Sequence, residues 1–458
     1  MKLDCFKAYD VRGRLGEGLN GEIAWRIGRA YGEVLGPKTV AVGGDARLSS
    51  PELKAAVAEG LAESGAEVLD LGLTGTEEIY HAVFSQSLDG GIEVTGSHNP
   101  ADENGLKMVK SQSRPISGDS GLNDIKLLAE SGRFSRSASG GQVRPASFKE
   151  EYVEHLLGYA APDKLPPLRI VANPGNGAAG PVMLLLERRL KDLGAPLEFV
   201  YVDSEPDGSF PNGLPNPLLP EKRERTASAV RENRADLGLA WDGDFDRCFF
   251  FDEHGNFIEG YYLVGLLAAS FLAGHPGASI IHDPRLIWNT VDIVEKAGGR
   301  AVVSKTGHAF IKERMRLEKA VYGGEMSAHH YFSKFSFCDS GMIPWLLVME
   351  VMGRENASLG ELVSGRQALF PCSGEINYKV ADQAGLLSEV ESVYCKKAGR
   401  VDYIDGFSAE MPDWRFNIRT SNTEPLVRLN LETRGQKDMV ADKVSELEKI
   451  ITPYLVGI

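Results

Sequence analysis

The chain has 458 residues, more than one hydrophobic core usually serves, so about three or four domains are expected. Apolar residues make up 43% and charged residues 25%, an ordinary globular balance that argues against disorder. The formal charge of -14 argues against a general nucleic-acid binder or a basic membrane-surface protein, and any anionic small substrate must meet basic groups gathered locally.

The N-terminal Met1-Lys2-Leu3-Asp4-Cys5-Phe6-Lys7 lacks an apolar signal core. From Lys38 the pattern is a short apolar strand, a polar or glycine-rich loop, then an amphipathic helix. KTVAV leads through GGDARLSS into PELKAAVAEGLAESG, and EVLDLG and GGIEV follow as further strands. The rhythm restarts at LRIVA, with ANPGNGAAG as a structural strand-to-helix turn and PVMLLLERRLKDLG as the helix. That turn lacks the spaced G-x-G-x-x-G of a dinucleotide site. The uncharged stretch Tyr261 to Gly274 is shorter than the ~20 residues that span a bilayer and reads as a buried helix. ASIIH and RAVVS are two more strands, with helical segments between. This alternation predicts doubly wound, largely parallel sheets.

After about Phe370 the pattern changes. EINYKV, a helical run near Asp382 to Lys397, WRFNIR and LVRLNLET predict an α+β module with antiparallel strands. Linkers are expected in SRSASGGQVRPAS, near Phe251 to Gly260, and near Leu369 to Ser373. The expected domains are therefore 1–145, 146–251, 252–368 and 369–458. The five cysteines Cys5, Cys248, Cys338, Cys372 and Cys395 are scattered without close pairs, as in a reduced cytoplasmic protein.

Four polar loops carry candidate chemistry. Thr95-Gly96-Ser97-His98-Asn99-Pro100 follows the strand GGIEV, where ligands gather at the carboxyl end of an α/β sheet. Ser97 is a nucleophile, a helix cap or a turn residue on this evidence, and the turn is the plainer reading. A Ser-His triad is not expected, because adjacent side chains at a strand end point to different sides.

Asp242-Gly243-Asp244-Phe245-Asp246-Arg247 follows the strand LGLAW. Three carboxylates at alternate positions converge if the backbone curls around a hard divalent cation, magnesium or calcium. An EF-hand is excluded by Arg247 where glycine is demanded and by the strand-like Cys248 to Phe251 inside the supposed loop.

Gly324-Glu325-Met326-Ser327-Ala328-His329-His330-Tyr331 presents an acceptor, a hydroxyl and imidazoles suited to sugar hydroxyls; the adjacent histidines are a poor transition-metal pair. Arg419-Thr420-Ser421-Asn422-Thr423-Glu424-Pro425 is either a phosphate cradle or a polar hairpin loop.

In this order, TGSHNP, DGDFDR, GEMSAHHYF and RTSNTEP resemble the four active-site loops of the α-D-phosphohexomutase family. FKAYDVRG, GGDARLSS, PDGSFPNGLPNP and SKTGHAFIKERM extend the resemblance over essentially the whole chain. It is strongest to bacterial members that serve GDP-mannose synthesis. The resemblance implies three related α/β domains and a mobile C-terminal α+β domain around a central cleft. It further implies reversible exchange of mannose 6-phosphate and mannose 1-phosphate through a hexose 1,6-bisphosphate, with glucose phosphates as the competing or additional substrates.

By motif, Ser97 would be the phosphoserine, and Asp242, Asp244 and Asp246 would bind Mg2+ together with its phosphate oxygen. Glu325 and Ser327 would contact sugar hydroxyls, with His329 nearby, and Arg419, Ser421, Asn422 and Thr423 would hold the phosphate not being transferred. Tyr9, Arg12, Lys107, Arg247, Arg285 and His308 match other cleft positions, and relatives also carry lysine at position 285. Arg247 would offset charge on the transferring group, and Lys107 or His308 would shuttle the hydroxyl proton if its pKa suits. Apart from its place in the motif, Lys107 reads as a solvated strand-end lysine. The partners implied are a small phosphosugar and a bisphosphate activator, with neither nucleic acid nor membrane, for a cytoplasmic monomer or weak dimer. A phosphosugar-binding regulator, a magnesium-dependent phosphatase and a phosphoglucosamine mutase are the alternatives. The first needs no phosphoryl acceptor beside a metal, the second would release phosphate steadily, and the third usually carries another sugar loop.

Overall fold

The computed structural model describes residues 1–135, 140–420 and 426–456. It contains two compact units, Met1–Phe257 with His329–Leu359, and Ile258–Ala328 with Gly360–Ile458.

In the first unit, the opening sheet has seven strands. Gly90–Val94, Thr39–Gly44, Glu67–Leu73 and Val143–Pro145 run parallel, while Glu103–Lys110 turns back antiparallel to Gly90–Val94 and Val11–Arg14 pairs with it in turn. Val42 faces Ile92 and Gly44 faces Val94, so the loops after both strands leave at the same carboxyl end. Glu93 is paired with Lys107.

The helix Gly21–Leu35 is capped by the Asn20 side chain on Ile23 N and ended by Gly36 at φ 60°. It lies close against the helix Ser50–Glu63, where a Cβ at Gly28 would come within 2.3 Å of Val57 O. Only glycine permits that approach.

The expected linker after Phe134 includes residues 136–139, which lie outside the described residues. Its end is not a linker: Val143–Pro145 is an exposed edge strand on the first sheet, with Val143 opposite Val68. A short, polar strand ending in proline leaves no alternating apolar signal.

The second sheet runs Phe257–Ile258, Cys248–Phe251, Leu237–Trp241, Leu168–Asn173, Leu197–Tyr201. Its last three strands are parallel, Cys248–Phe251 is antiparallel to Leu237–Trp241, and every residue of Leu237–Trp241 is buried. The acidic loop therefore leaves the carboxyl end of a central strand. ANPGNGAAG leads from Leu168–Asn173 into the helix Ala179–Asp192, as expected, and Ala178 N donates to Gly243 O at 3.0 Å. A hairpin, His330–Phe332 with Cys338–Asp339, and the helix Ile343–Glu355 complete this unit.

The second unit holds the parallel strands Arg300–Val303, Ser279–His282 and Tyr322–Gly324, with the largely buried helix Gly260–Gly274. Its other sheet is wholly antiparallel, in the order Cys372–Lys379, Leu426–Thr433, Trp414–Thr420, Phe407–Glu410, Arg400–Asp402. The helices Gln383–Tyr394 and Lys437–Ile451 supply Leu386, Val390, Leu447 and Ile451 to the core beneath it. Four sheets, three containing parallel strands and the last wholly antiparallel, thus organise the described chain into α/β domains. Among the described residues no helix is long and apolar enough to cross a membrane.

Candidate active site

Ser97 lies in the loop after Gly90–Val94 with φ 48°, a left-handed backbone that a strand extension would not have. This conformation brings Ser97 Oγ to 3.1 Å from His98 Nδ1 and lets it donate to Asp242 Oδ2 at 2.8 Å. The expectation that Ser97 and His98 point apart is therefore wrong, because the alternation of a strand has already ended. They form no triad, since Asp242 approaches the same nitrogen, Nδ1, at 3.7 Å. Burial, followed by Arg247, Arg12 and Lys107, pushes the His98 imidazole well below its ordinary value, so the ring is neutral.

The loop is pinned by a buried arginine. Arg47 donates from Nη2 to Ser97 O at 2.9 Å and Asn99 O at 2.6 Å, and from Nη1 to Pro100 O at 2.7 Å and Glu103 O at 2.9 Å. Asp45 accepts from Thr95 Oγ1 at 2.7 Å, and Thr95 Oγ1 accepts from Ser97 N at 2.7 Å. Arg12 donates to Gly96 O at 3.1 Å and Asn99 Oδ1 at 3.0 Å. Tyr9 is part-buried two residues before the strand that carries Arg12.

Asp242, Asp244 and Asp246 are each at most 1% exposed. One carboxylate oxygen from each lies within 4.8 Å of the others, and Oδ1 of each accepts no hydrogen bond among the described residues. Phe245 at φ 47° provides the curl, and a Cβ at Gly243 would come within 2.6 Å of Ser97 O, so the two loops meet through a glycine. Burial, then Asp246 and Asp244, raise the Asp242 carboxyl above the ordinary range. Buried, convergent, partly unsatisfied oxygens are the donor set of a hard divalent cation, so a metal fits here.

Lys107 does not behave as a solvated strand-end lysine. It is 7% exposed and donates to Asp244 Oδ2 at 2.6 Å and to Asp246 Oδ2. Burial opposes its charge, but Asp244 and Asp246 outweigh burial and raise the ammonium above the ordinary lysine value. It is a buried cation set against two of the three carboxylates. Thr76, absent from the sequence reading, donates to Asp244 Oδ2 at 2.5 Å.

Arg247 Nε donates to His329 Nε2 at 3.0 Å and stands 3.8 Å from Asp242. His329 Nε2 lies 3.5 Å from Asp246 Oδ1. His329 is thereby grouped with the acidic loop.

The second unit holds another cluster. Arg285, 2% exposed, donates from Nη2 to Asp283 Oδ2 at 2.8 Å and Ser327 Oγ at 3.1 Å, and from Nη1 to Glu375 Oε2 at 3.3 Å. Glu325 lies 3.6 Å from Arg285 and accepts from Gly307 N at 3.1 Å. His308 begins the helix His308–Glu318, with its Nδ1 3.4 Å from Lys312 Nζ. Arg419, near the end of Trp414–Thr420, donates to Glu375 Oε2 at 3.3 Å. Ser421, Asn422 and Thr423 lie outside the described residues. Asp283, Glu375 and Arg428 were not singled out from the sequence. Asp283 stood beside a named residue, while Glu375 and Arg428 lie inside strands that read as structural.

Models of the phosphoglucomutase/phosphomannomutase family match in sequence order: alpha/beta/alpha domain I at residues 4–135, domain II at 150–255, domain III at 259–370, and the C-terminal domain at 375–449. The chain is 62% identical to a phosphomannomutase of Salmonella typhimurium over 95% of its length and 96% of that protein. It is 59% identical to a phosphomannomutase of Escherichia coli, over 97% of this chain and 98% of the other. A solved phosphoglucomutase/phosphomannomutase family protein of Burkholderia thailandensis superposes with a TM-score of 0.86 at 32% identity, covering 98% and 97% of the two chains.

Proposed function

Because the chain belongs to the phosphoglucomutase/phosphomannomutase family across all four of its domains, we propose that it is a phosphomannomutase. It interconverts mannose 6-phosphate and mannose 1-phosphate for GDP-mannose synthesis and also accepts glucose phosphates. The observation that carries this reading is the Ser97 hydroxyl, buried and donating at 2.8 Å to one of three carboxylates that each keep an oxygen without a hydrogen-bond partner among the described residues. A pure phosphosugar binder has no use for that combination.

In the active form Ser97 Oγ carries a phosphoryl group. The bond from phosphorus to Oγ breaks as a bond to the free sugar hydroxyl forms, giving a hexose 1,6-bisphosphate, and the hydroxyl proton passes to a base. The bisphosphate turns round, and its other phosphoryl group returns to Ser97. Mg2+ held by Asp242, Asp244, Asp246 and the Ser97 phosphate would supply Lewis-acid charge to the transferring group. Arg12 holds the serine loop, and Arg247 and Lys107 provide fixed positive charge beside it. Lys107 or His308 shuttles the hydroxyl proton.

Tyr9, Arg285, Glu325, Ser327 and His329 are assigned to the sugar and its approach. Arg419, Ser421, Asn422 and Thr423 are assigned to the phosphate that does not react. The partition 1–145, 146–251, 252–368 and 369–458 gives each of the four loops its own domain. A coupled assay with mannose 1-phosphate and glucose 1-phosphate, in Mg2+ and bisphosphate activator, tests the reading. Isomerised sugar phosphate with little free phosphate is expected; steady phosphate release would make the protein a phosphatase instead.

A further inference from the structure

Three guanidinium groups in the second unit share one carboxylate. Glu375 Oε2 accepts from Arg285 Nη1 and Arg419 Nη2, both at 3.3 Å, and Oε1 lies 3.7 Å from Arg428 Nη1. These contacts are long for ion pairs, which close to about 2.7–2.9 Å when they are firm. The same Arg285 makes a firm one to Asp283 at 2.8 Å. Glu375 is thus held by several cations and tightly by none. Burial opposes its charge, yet Arg285, Arg419 and Arg428 keep its carboxyl below the ordinary range, so it is an anion.

Arg419 is the counterpart. Its side chain is 7% exposed, Nε is buried without a hydrogen-bond partner among the described residues, and Asp405 Oδ2 stands 3.9 Å from that nitrogen. A buried guanidinium with an unused donor calls for a further acceptor. The backbone explains why Glu375 points here. Gly374 has φ 66°, and the register with Leu426–Thr433 shifts between Cys372 and Glu375, an irregularity that re-aims a side chain.

We propose that Glu375 is a displaceable competitor for Arg419: it occupies the guanidinium in the resting enzyme and must yield when a phosphosugar's phosphate arrives. The inference rests on the assignment of Arg419 to the non-reacting phosphate. With Asp283, Glu325, Glu375 and Asp405 already facing the arginines, a phosphate dianion added without movement of Glu375 would place excess negative charge in a buried site. The cost of moving Glu375 loosens the grip on the phosphate. A reaction whose bisphosphate must let go and turn round needs such a grip, since binding too tightly would hold it in one orientation.

The test uses the full chain with inorganic phosphate as the probe, followed by calorimetric titration, for the wild type, Glu375→Gln, Glu375→Asp, Arg419→Ala and the Glu375→Gln/Arg419→Ala pair. Glu375→Gln should bind phosphate about tenfold tighter than the wild type, and the gain should vanish when Arg419 is also removed. Glu375→Asp keeps the charge but is one methylene shorter; it should shift affinity in the same direction and decides the matter if the glutamine variant fails to fold. In turnover, Glu375→Gln should lower KM and kcat together, whereas a merely structural glutamate would raise KM. Unchanged or weaker phosphate binding in both Glu375 variants overturns the competitor. If Arg419→Ala leaves wild-type phosphate binding intact, the cradle itself is misassigned and the proposal falls with it.

Discussion

Replacing Arg47 by alanine would remove a side chain that touches no substrate group in the proposed reaction yet fixes the backbone that presents Ser97. Its guanidinium is 2% exposed and bonds four carbonyl oxygens between Ser97 and Glu103. A hydrogen bond involving a charged group contributes about 1.5–3 kcal/mol. Simple addition over four bonds overstates the loss, because water enters the space and the carbonyls re-pair. Losing one member of a buried charged network costs about 3–5 kcal/mol, and Asp45, 3.5 Å away, is left without its cation. The effect should appear locally. Amide exchange across residues 95–103 should accelerate about a hundredfold or more, since each factor of ten in opening corresponds to about 1.4 kcal/mol. With Ser97 no longer held, kcat should drop by at least about tenfold. Arg47→Lys offers one ammonium in place of a two-nitrogen fork and should recover only part of either loss. Exchange at wild-type rates in the alanine variant, with activity retained, would refute the claim that Arg47 sets the geometry of the loop.

Ser97→Ala should lower kcat by orders of magnitude and abolish the phosphoserine that intact-mass analysis should show in at least part of the wild-type protein. Asp244→Asn should weaken magnesium dependence and activity together with the fold intact, and full activity in excess chelator would exclude the metal. Because the Asp242 pKa is raised in the metal-free fold, the folded state binds the extra proton and stability falls as pH rises above the ordinary carboxylate range. The gain in Tm on adding magnesium should therefore grow with pH, measured by thermal unfolding with and without the ion. Arg419→Ala should chiefly raise KM for both phosphosugars, whereas an unchanged KM with a collapsed kcat would move Arg419 to the transferring phosphate. The two sugars should differ in kcat/KM by less than about a hundredfold, because they differ only at C2 and must bind in two orientations; a ratio above about a thousandfold would mean that C2 is read directly.

What was legible in the sequence is what local chemistry encodes. LGLAW is apolar throughout and forms a fully buried central strand, so the polar residues after it had to emerge at the carboxyl end of the sheet. Aspartates at alternate positions converge once the backbone curls, and the left-handed turn at Phe245 brings them together. The antiparallel character of the last domain was legible from WRFNIR and LVRLNLET, which pair from Trp414 opposite Thr433 to Thr420 opposite Val427. The strands Arg400–Asp402 and Phe407–Glu410 were missed, being too short to show a period against the loops around them.

The side chains that escaped are those whose meaning depends on a partner far along the chain. Lys107 looks like any strand-end lysine until the fold sets it against Asp244 and Asp246, 137 and 139 positions away. Glu375 is only the first residue of the strand-like EINYKV until the fold, with a register irregularity beside it, sets it against Arg285 and Arg419, 90 and 44 positions away. Ser97 against His98 is the opposite case, a neighbouring pair misjudged because one left-handed residue cancelled the alternation assumed for it. These failures share a cause. Loop composition records which atoms are available for chemistry, whereas charge pairing in a buried site is settled only when strands from distant parts of the chain come into register. An ionisable residue inside a strand, facing a neighbour that itself leads into a polar loop, is therefore the place to look for what a motif leaves out. Lys107, paired with Glu93 on the strand that leads into the Ser97 loop, meets that description.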